Sequence, residues 1–219
     1  MPDDQTSTSD SESGNQPIRV VRKRPKPGER RIQILHALAA MLEQPGSERI
    51  TTAALAARLD VSEAALYRHF ASKAQMFEGL IDFIEQSVFT FVNQNAEREQ
   101  ATEDAASGTR QAARLVTMLL QFAEKNPGLT RVIVGDALVF ENERLQQRMN
   151  NFFDKIEAAL RQALRASADA SGSASPSADS QVLASALTAF AVGRLHRYAR
   201  SGFKRSPTEH LEASLARMV

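Results

Sequence analysis

Cysteine does not occur in the 219-residue chain, which removes disulfides, thiol catalysis and cysteine-held metals from consideration. Glycine is sparse, with 10 residues, and no stretch alternates apolar and polar positions in the β-branched manner of a strand, so no sheet is expected. No apolar run approaches the roughly 20 residues needed to cross a bilayer, and the first residues lack the apolar stretch of a secretory signal. The expectation is therefore a cytoplasmic protein without membrane contact. An excess of one charge is also lacking. The 27 Lys and Arg offset 26 Asp and Glu, so only the distribution of charge could point to nucleic acid. The four histidines, His36, His69, His196 and His210, have no metal-ligand spacing. H-E-x-x-H, P-loop, G-x-G-x-x-G and G-x-S-x-G patterns do not occur. No enzyme, no cofactor and no metal site are expected.

Hydrophobic residues make up 42% and charged residues 24% of a chain long enough for one or two helical domains. Residues 1–16 are almost all Ser, Thr, Asp, Glu, Gln and Gly, and cannot offset the entropy of ordering. Residues 17–31 reverse the sign with Arg19, Arg22, Lys23, Arg24, Lys26, Arg30 and Arg31, broken by Pro17, Pro25 and Pro27. Residues 1–28 thus read as a disordered tail with a basic arm, suited either to solubility or to phosphate contact. A DNA-docking unit over 29–73 and a helical dimerisation and partner-binding domain over 74–219 would follow.

Apolar spacing predicts a first helix over 30–44, stopped by Pro45-Gly46, and a second starting at Thr51 or Thr52. A turn at Asp60-Val61 precedes a short helix over 63–70, capped by Ser62, with Glu63 at its positive end. Ser72-x-x-Gln75 is a capping box for a long helix to about 98. A polar loop over 99–108 closes at Gly108, and a fifth helix over 109–126 stops at Asn126-Pro127-Gly128. A short apolar segment over 129–140 and an amphipathic helix over 143–166 follow. Residues 167–180, SADASGSASPSADS, read as a low-complexity loop. The last two helices are expected over 181–202 and 207–218, the second opened by Ser206-Pro207-Thr208-Glu209.

The stretch ITTAALAARLDVSEAALYRHFASKAQMF, from Ile50 to Phe77, carries the chemistry. Two short helices joined by a tight turn make a helix-turn-helix, in which the first packs across the second and the second enters the major groove. Leu55, Leu59, Leu66 and Phe70 form the side to be buried. Thr51, Thr52, Ser62, Ala64, Ala65, Tyr67, Arg68, His69 and Lys73 are left to face solvent or DNA. Their hydroxyls, cations and phenol suit phosphate positioning. The base-reading end offers no Arg, Asn or Gln for a bidentate contact, so thymine methyls, Ser62 and DNA shape would carry specificity. Core packing alone gives the same spacing in many helical hairpins.

Leu-Tyr-Arg-His-Phe followed by Ser-Lys and an aromatic, Leu66 to Phe70 with Ser72, Lys73 and Phe77, resembles the DNA-binding signature of TetR-type regulators. The resemblance implies an all-α dimer of about nine helices per protomer, a palindromic DNA site, and phosphate contacts from Tyr67, His69 and Lys73. It further implies pairing of the last two long helices across a two-fold axis. RITTAALAARLDVSEAALYRHFASK, EKNPGLTRVIVGDAL, ENERLQQRMNNFFDKIEAALRQ and LASALTAFAVGRLHRYARSGFKRSPTEH are similar to the nucleoid occlusion branch of that family. The branch implies a nucleoid-associated protein that inhibits ring assembly by the division protein FtsZ. Its ligand would be the FtsZ C-terminal tail, held between the fourth and fifth helices by Phe83, Met118, Gln121, Lys125 and Asn126. Phe91 stands where the branch implies a basic residue, and Gln121 where it implies a small one. One or more dimers would occupy each palindromic double-stranded site. The dimer interface is expected from Leu183, Leu187, Phe190, Ala191, Leu195 and Tyr198, with Ala184, Ala191 and Gly193 admitting a close partner helix. A ligand-responsive TetR-type repressor, with a pocket inside the core, and a helical adaptor without DNA are the alternatives.

Overall fold

A computed structural model of the protein describes residues 28–44, 49–99 and 106–219. The tail and basic arm as far as residue 27, the Pro45-Gly46 stop and most of the 99–108 loop lie outside the described residues. Nine α-helices and a 3-10 turn ahead of the seventh are the main elements of the described residues, among which no strand occurs. The helices are α1 (Glu29–Leu42), α2 (Thr52–Arg58), α3 (Glu63–Tyr67), α4 (Lys73–Glu99), α5 (Ser107–Lys125), α6 (Pro127–Ile133), α7 (Glu143–Ala170), α8 (Pro176–Arg200) and α9 (Leu211–Leu215). The 3-10 turn, Asp136–Leu138, lies between α6 and α7. No helix is long and apolar enough to cross a membrane among the described residues.

Helices α1 to α3 form a small unit whose interior holds Ile34, Leu38, Leu55, Leu66 and Phe70, each 1% exposed. Helix α4 leaves this unit and enters a bundle in which α7 and α8 pair along their length and α5 packs on α4, α7 and α8. The bundle interior is closed by Phe152, whose ring meets Phe89 and Phe153 edge-on at centroid distances of 5.5 and 5.4 Å. Two glycines set the crossings. A side chain at Gly108 would stand 2.2 Å from the Ala163 carbonyl on α7, and one at Gly128 would stand 2.0 Å from the Ala39 carbonyl on α1. Gly108 therefore belongs to α5 as a point of close approach, where the sequence alone reads it as a loop end.

Three sequence expectations change. Asn126-Pro127-Gly128 ends α5 but also starts α6, because proline occupies a first-turn position whose N–H has no helical partner to lose. The low-complexity segment 167–180 is mostly helical. Alanine carries α7 to residue 170, Gly172 stops it at φ 73°, and Pro176 with Asp179 in the first turn opens α8. The expected final helix over 207–218 shrinks to the five residues of α9. Its opening residues are tied to α5: Ser206 donates to the Glu124 carboxylate, and Thr208 Oγ1 does so at 2.8 Å.

Candidate nucleic-acid interface and partner groove

The α2–α3 hairpin is held by its own hydroxyls. Thr51 Oγ1 accepts from the Ala54 N–H at 3.1 Å and Ser62 Oγ from the Ala65 N–H at 3.3 Å, so each caps a helix too short to persist alone. Thr52 Oγ1 donates to Glu63 Oε2 at 2.6 Å, joining the two helix starts. Between them Asp60 takes φ 53°, a left-handed conformation that Asp tolerates better than most side chains, and the Val61 N–H reaches back to the Ala56 carbonyl at 3.1 Å. Leu55, Leu66 and Phe70 are buried as expected, while Leu59 is half-buried.

Of the nine residues expected to face DNA, Thr51, Ser62, Ala64, Tyr67, Arg68 and His69 are exposed, Tyr67 at 45%. Thr52, Ala65 and Lys73 are half-buried. Lys73 is not free: its ammonium pairs with Glu141 and lies 5.7 Å from the Phe77 ring centroid. Arg31, which the sequence places at the junction of the basic run and the first helix, has a defined role. Its guanidinium lies 4.1 Å from the Phe70 ring centroid and donates to the His69 carbonyl at 2.9 Å, clamping α1 onto the end of α3. No local pattern announces a contact 38 residues apart.

Along the seam between them, α4 and α5 leave a groove. Phe83 is 48% exposed, and its ring lies 6.5 Å from that of Phe122. Phe83 and Asn126 border a depression of about 290 Å³ that also includes Ile32 and Leu35 of α1 and Leu129 of α6. Met118 and Gln121 border a second one of about 490 Å³, shared with Phe91, Leu215 and Val219. The five expected residues therefore follow the α4–α5 seam without converging on one cavity. Lys125 is exposed in the last turn of α5 and lines neither depression. Asn126 Nδ2 donates to the Phe122 carbonyl at 2.7 Å, so its amide is committed to ending α5. The part taken by α1, α9 and the chain end was not visible in the sequence.

Behind the groove, α4 is tied to α7. Arg148 meets Asp82 Oδ1 and Glu85 Oε2 at 2.6 Å each, and these hydrogen bonds, Glu85 first, hold its guanidinium still more firmly charged. Arg144 pairs with Glu78 in the same row.

The expected dimer interface requires correction. Leu187, Ala191, Leu195 and Tyr198 face the interior of the protomer, as does Ala184, and only Leu183 and Phe190 remain half-buried. Helix α8 is apolar on two sides, and periodicity alone does not say which side turns inward. The outward side carries Val182 at 71% exposure with Ala186, Ala189 and Gly193.

Comparison with known proteins decides the family. Residues 34–80 match bacterial regulatory proteins of the tetR family, and residues 109–218 match the tetracyclin repressor-like C-terminal domain of the SlmA-like type. The nucleoid occlusion factor SlmA of Photobacterium profundum is 50% identical over 184 residues, covering 84% of this chain and 90% of that protein. SlmA of Idiomarina loihiensis is 48% identical with the same coverage, and SlmA of Escherichia fergusonii is 48% identical over 185 residues. The chain belongs to the SlmA family of nucleoid occlusion factors. Among solved structures, the fatty acid degradation regulator FadR from Bacillus halodurans superposes with a TM-score of 0.65 at 15% identity, over 89% of this chain and 96% of that one. The transcriptional regulator FadR from Bacillus subtilis, in complex with stearoyl-CoA, gives 0.64 at 15% identity over 86% and 97%. These likenesses establish the TetR-type fold. The identity to SlmA proteins spans both the α2–α3 hairpin and the α4–α5 seam.

Proposed function

We propose that the protein is a homodimeric, non-catalytic regulator that docks on palindromic chromosomal DNA through α2 and α3. Once docked, it captures the C-terminal tail of FtsZ along the α4–α5 seam. In this way it stops division-ring assembly over unsegregated DNA. Identity of 48–50% to SlmA proteins across nearly the whole described chain is the observation that carries this reading. Residues 29–73 act as the docking unit and 74–219 as the dimerisation and partner-binding domain. Exposed Thr51, Ser62, Tyr67, Arg68 and His69 around a capped two-helix unit support phosphate positioning. Exposed Phe83, with Phe122 next to it, supports an apolar anchor for a peptide, and Lys125 adds a cation for an acidic one. The outward side of α8, from Val182 to Gly193, is the face offered to a second protomer. The protein would reside in the cytoplasm on the nucleoid.

FtsZ polymerisation followed by light scattering, with and without a palindromic chromosomal fragment, tests the proposal. Loss of polymer that needs the protein and grows with the DNA supports it. Lys125→Glu should then lose FtsZ inhibition and keep DNA affinity, and an equal loss of both overturns the groove assignment. If FtsZ is indifferent while the palindrome binds, the protein is instead a ligand-responsive repressor.

A further inference from the structure

Lys73 opens α4 at the exit of the reading head, and its ammonium is held by Glu141, 68 residues further on, in the turn ahead of α7. The Glu141 side chain is 10% exposed and that of Lys73 is 27% exposed, so the pair is partly withdrawn from water but open on the lysine side. The same turn touches the reading head again. The Arg49 guanidinium, ahead of α2, lies 5.2 Å from the ring centroid of Phe140, which is otherwise exposed. One short segment of the core thus meets both flanks of the α2–α3 hairpin. A lysine in the first turn of a helix faces the positive end of the dipole and gains from a neighbouring anion. Glu141 supplies that anion in the free protein. A DNA phosphate is an anion of the same chemistry, arriving from the exposed side.

We propose that Glu141 is an internal stand-in for a DNA phosphate at Lys73, so that docking on DNA exchanges one anion for the other and frees the 139–142 turn from the reading head. The proposal rests on α2 and α3 being the DNA-docking unit. Because coupling is reciprocal, anything that holds the turn on the reading head weakens DNA binding to the same degree that DNA loosens the turn.

The test is the affinity of the full chain for a short random-sequence duplex and for a palindromic genomic duplex, by fluorescence anisotropy across a salt series. Glu141→Gln should bind both duplexes about fivefold more tightly, the scale of a partly exposed ion pair. Lys73→Gln should bind both more weakly, with a salt slope shallower by about one. The double variant should gain nothing over Lys73→Gln. Unchanged or weaker affinity of a Glu141→Gln protein that melts like the parent overturns the exchange while leaving DNA docking intact. A parent chain that binds neither duplex overturns the docking reading itself. A readout without substitution is amide hydrogen exchange over 139–142. It should quicken when DNA is added, and equal protection with and without DNA also overturns the exchange.

Discussion

The start of the reading head and the segment after α8 use the same residue types and reach opposite ends. Around α2, α3 and α4, Thr51, Ser62 and Ser72 each accept from an N–H three residues on and begin a helix. After α8, Ser206-Pro207-Thr208-Glu209 has an equally good opening, and Ser206 Oγ does accept from the Thr208 N–H at 3.1 Å. No helix starts there. Both hydroxyls donate to the carboxylate of Glu124 at the end of α5, and the chain turns through His210 at φ 53° before α9 begins. A capping signature is a local competition for N–H groups. The Ser206 hydroxyl accepts from the cap N–H and donates to the carboxylate at the same time, so the cap is made. The Glu124 carboxylate, however, holds both hydroxyls against the end of α5 and sets the direction of the chain there.

The largest effect should come from removing that carboxylate. Glu124→Ala takes away two hydroxyl-to-carboxylate bonds in a partly buried position, at a cost of about 2–4 kcal/mol. Thermal unfolding should show a lower midpoint, and Glu124→Gln, which keeps an acceptor, should recover part of the loss. If the carboxylate tether sets the turn, 207–210 should also take helical chemical shifts in the Ala variant. A Glu124→Ala protein with unchanged shifts there would mean that the turn is set by something other than the carboxylate.

The same contrast explains what was legible in the sequence. The all-helical class, the α2–α3 hairpin, its cap at Ser62 and the long α4 are set by residues within a few positions of one another, and local reading found them, narrowing the other cap to Thr51 or Thr52. The Ser72-x-x-Gln75 box was legible in kind but not in detail. The Gln75 N–H donates to Ser72 Oγ at 3.2 Å, while Gln75 Oε1 accepts from the Ala71 N–H at 2.9 Å instead of that of Ser72. Arg31 on His69, Lys73 on Glu141 and the walls that α1 and α9 give to the groove depend on partners tens of residues away, and no spacing announces them. The inward turn of Leu187 and Leu195 fails for a related reason: helix α8 is apolar enough on both sides that only packing against α7 and α5 decides which one is buried.

A smaller effect is expected where the hydroxyl keeps its local role. Ser62→Ala should cost about 1 kcal/mol, the usual range for a lost N-cap, and the loss should fall on α3. Amide exchange should therefore quicken over 63–67 with little change in the bundle. DNA affinity should change little through this route, because a head that stays folded after losing about 1 kcal/mol keeps nearly its whole binding-competent population. A uniform loss of protection over α7 and α8 would show that the hairpin and the bundle unfold as one unit, and the comparison between a locally set head and a distantly tied tail would lose its basis.

The smallest effect concerns the same anchor at the end of α5. The Tyr198 hydroxyl donates to the Glu124 carbonyl at 3.2 Å, and its ring packs edge-on to Phe203 at 5.2 Å. Burial above all, then the negative charges of Glu124 and Glu43, raise the phenol above its ordinary value of 10.0. A phenol that ionises later in the fold than in the unfolded chain favours the folded state only while it stays protonated. Its contribution is complete below the ordinary value and is lost as pH rises through the raised one. Tyr198→Phe should cost about 1 kcal/mol near neutral pH through the missing hydrogen bond. It should then lose less of its remaining stability than the parent on going to strongly alkaline pH, and denaturant midpoints measured along that series check both statements. Parallel pH curves for the two proteins would mean that Tyr198 ionises alike in both states, and that Glu124 ties down the segment after α8 without charging the space around the end of α8.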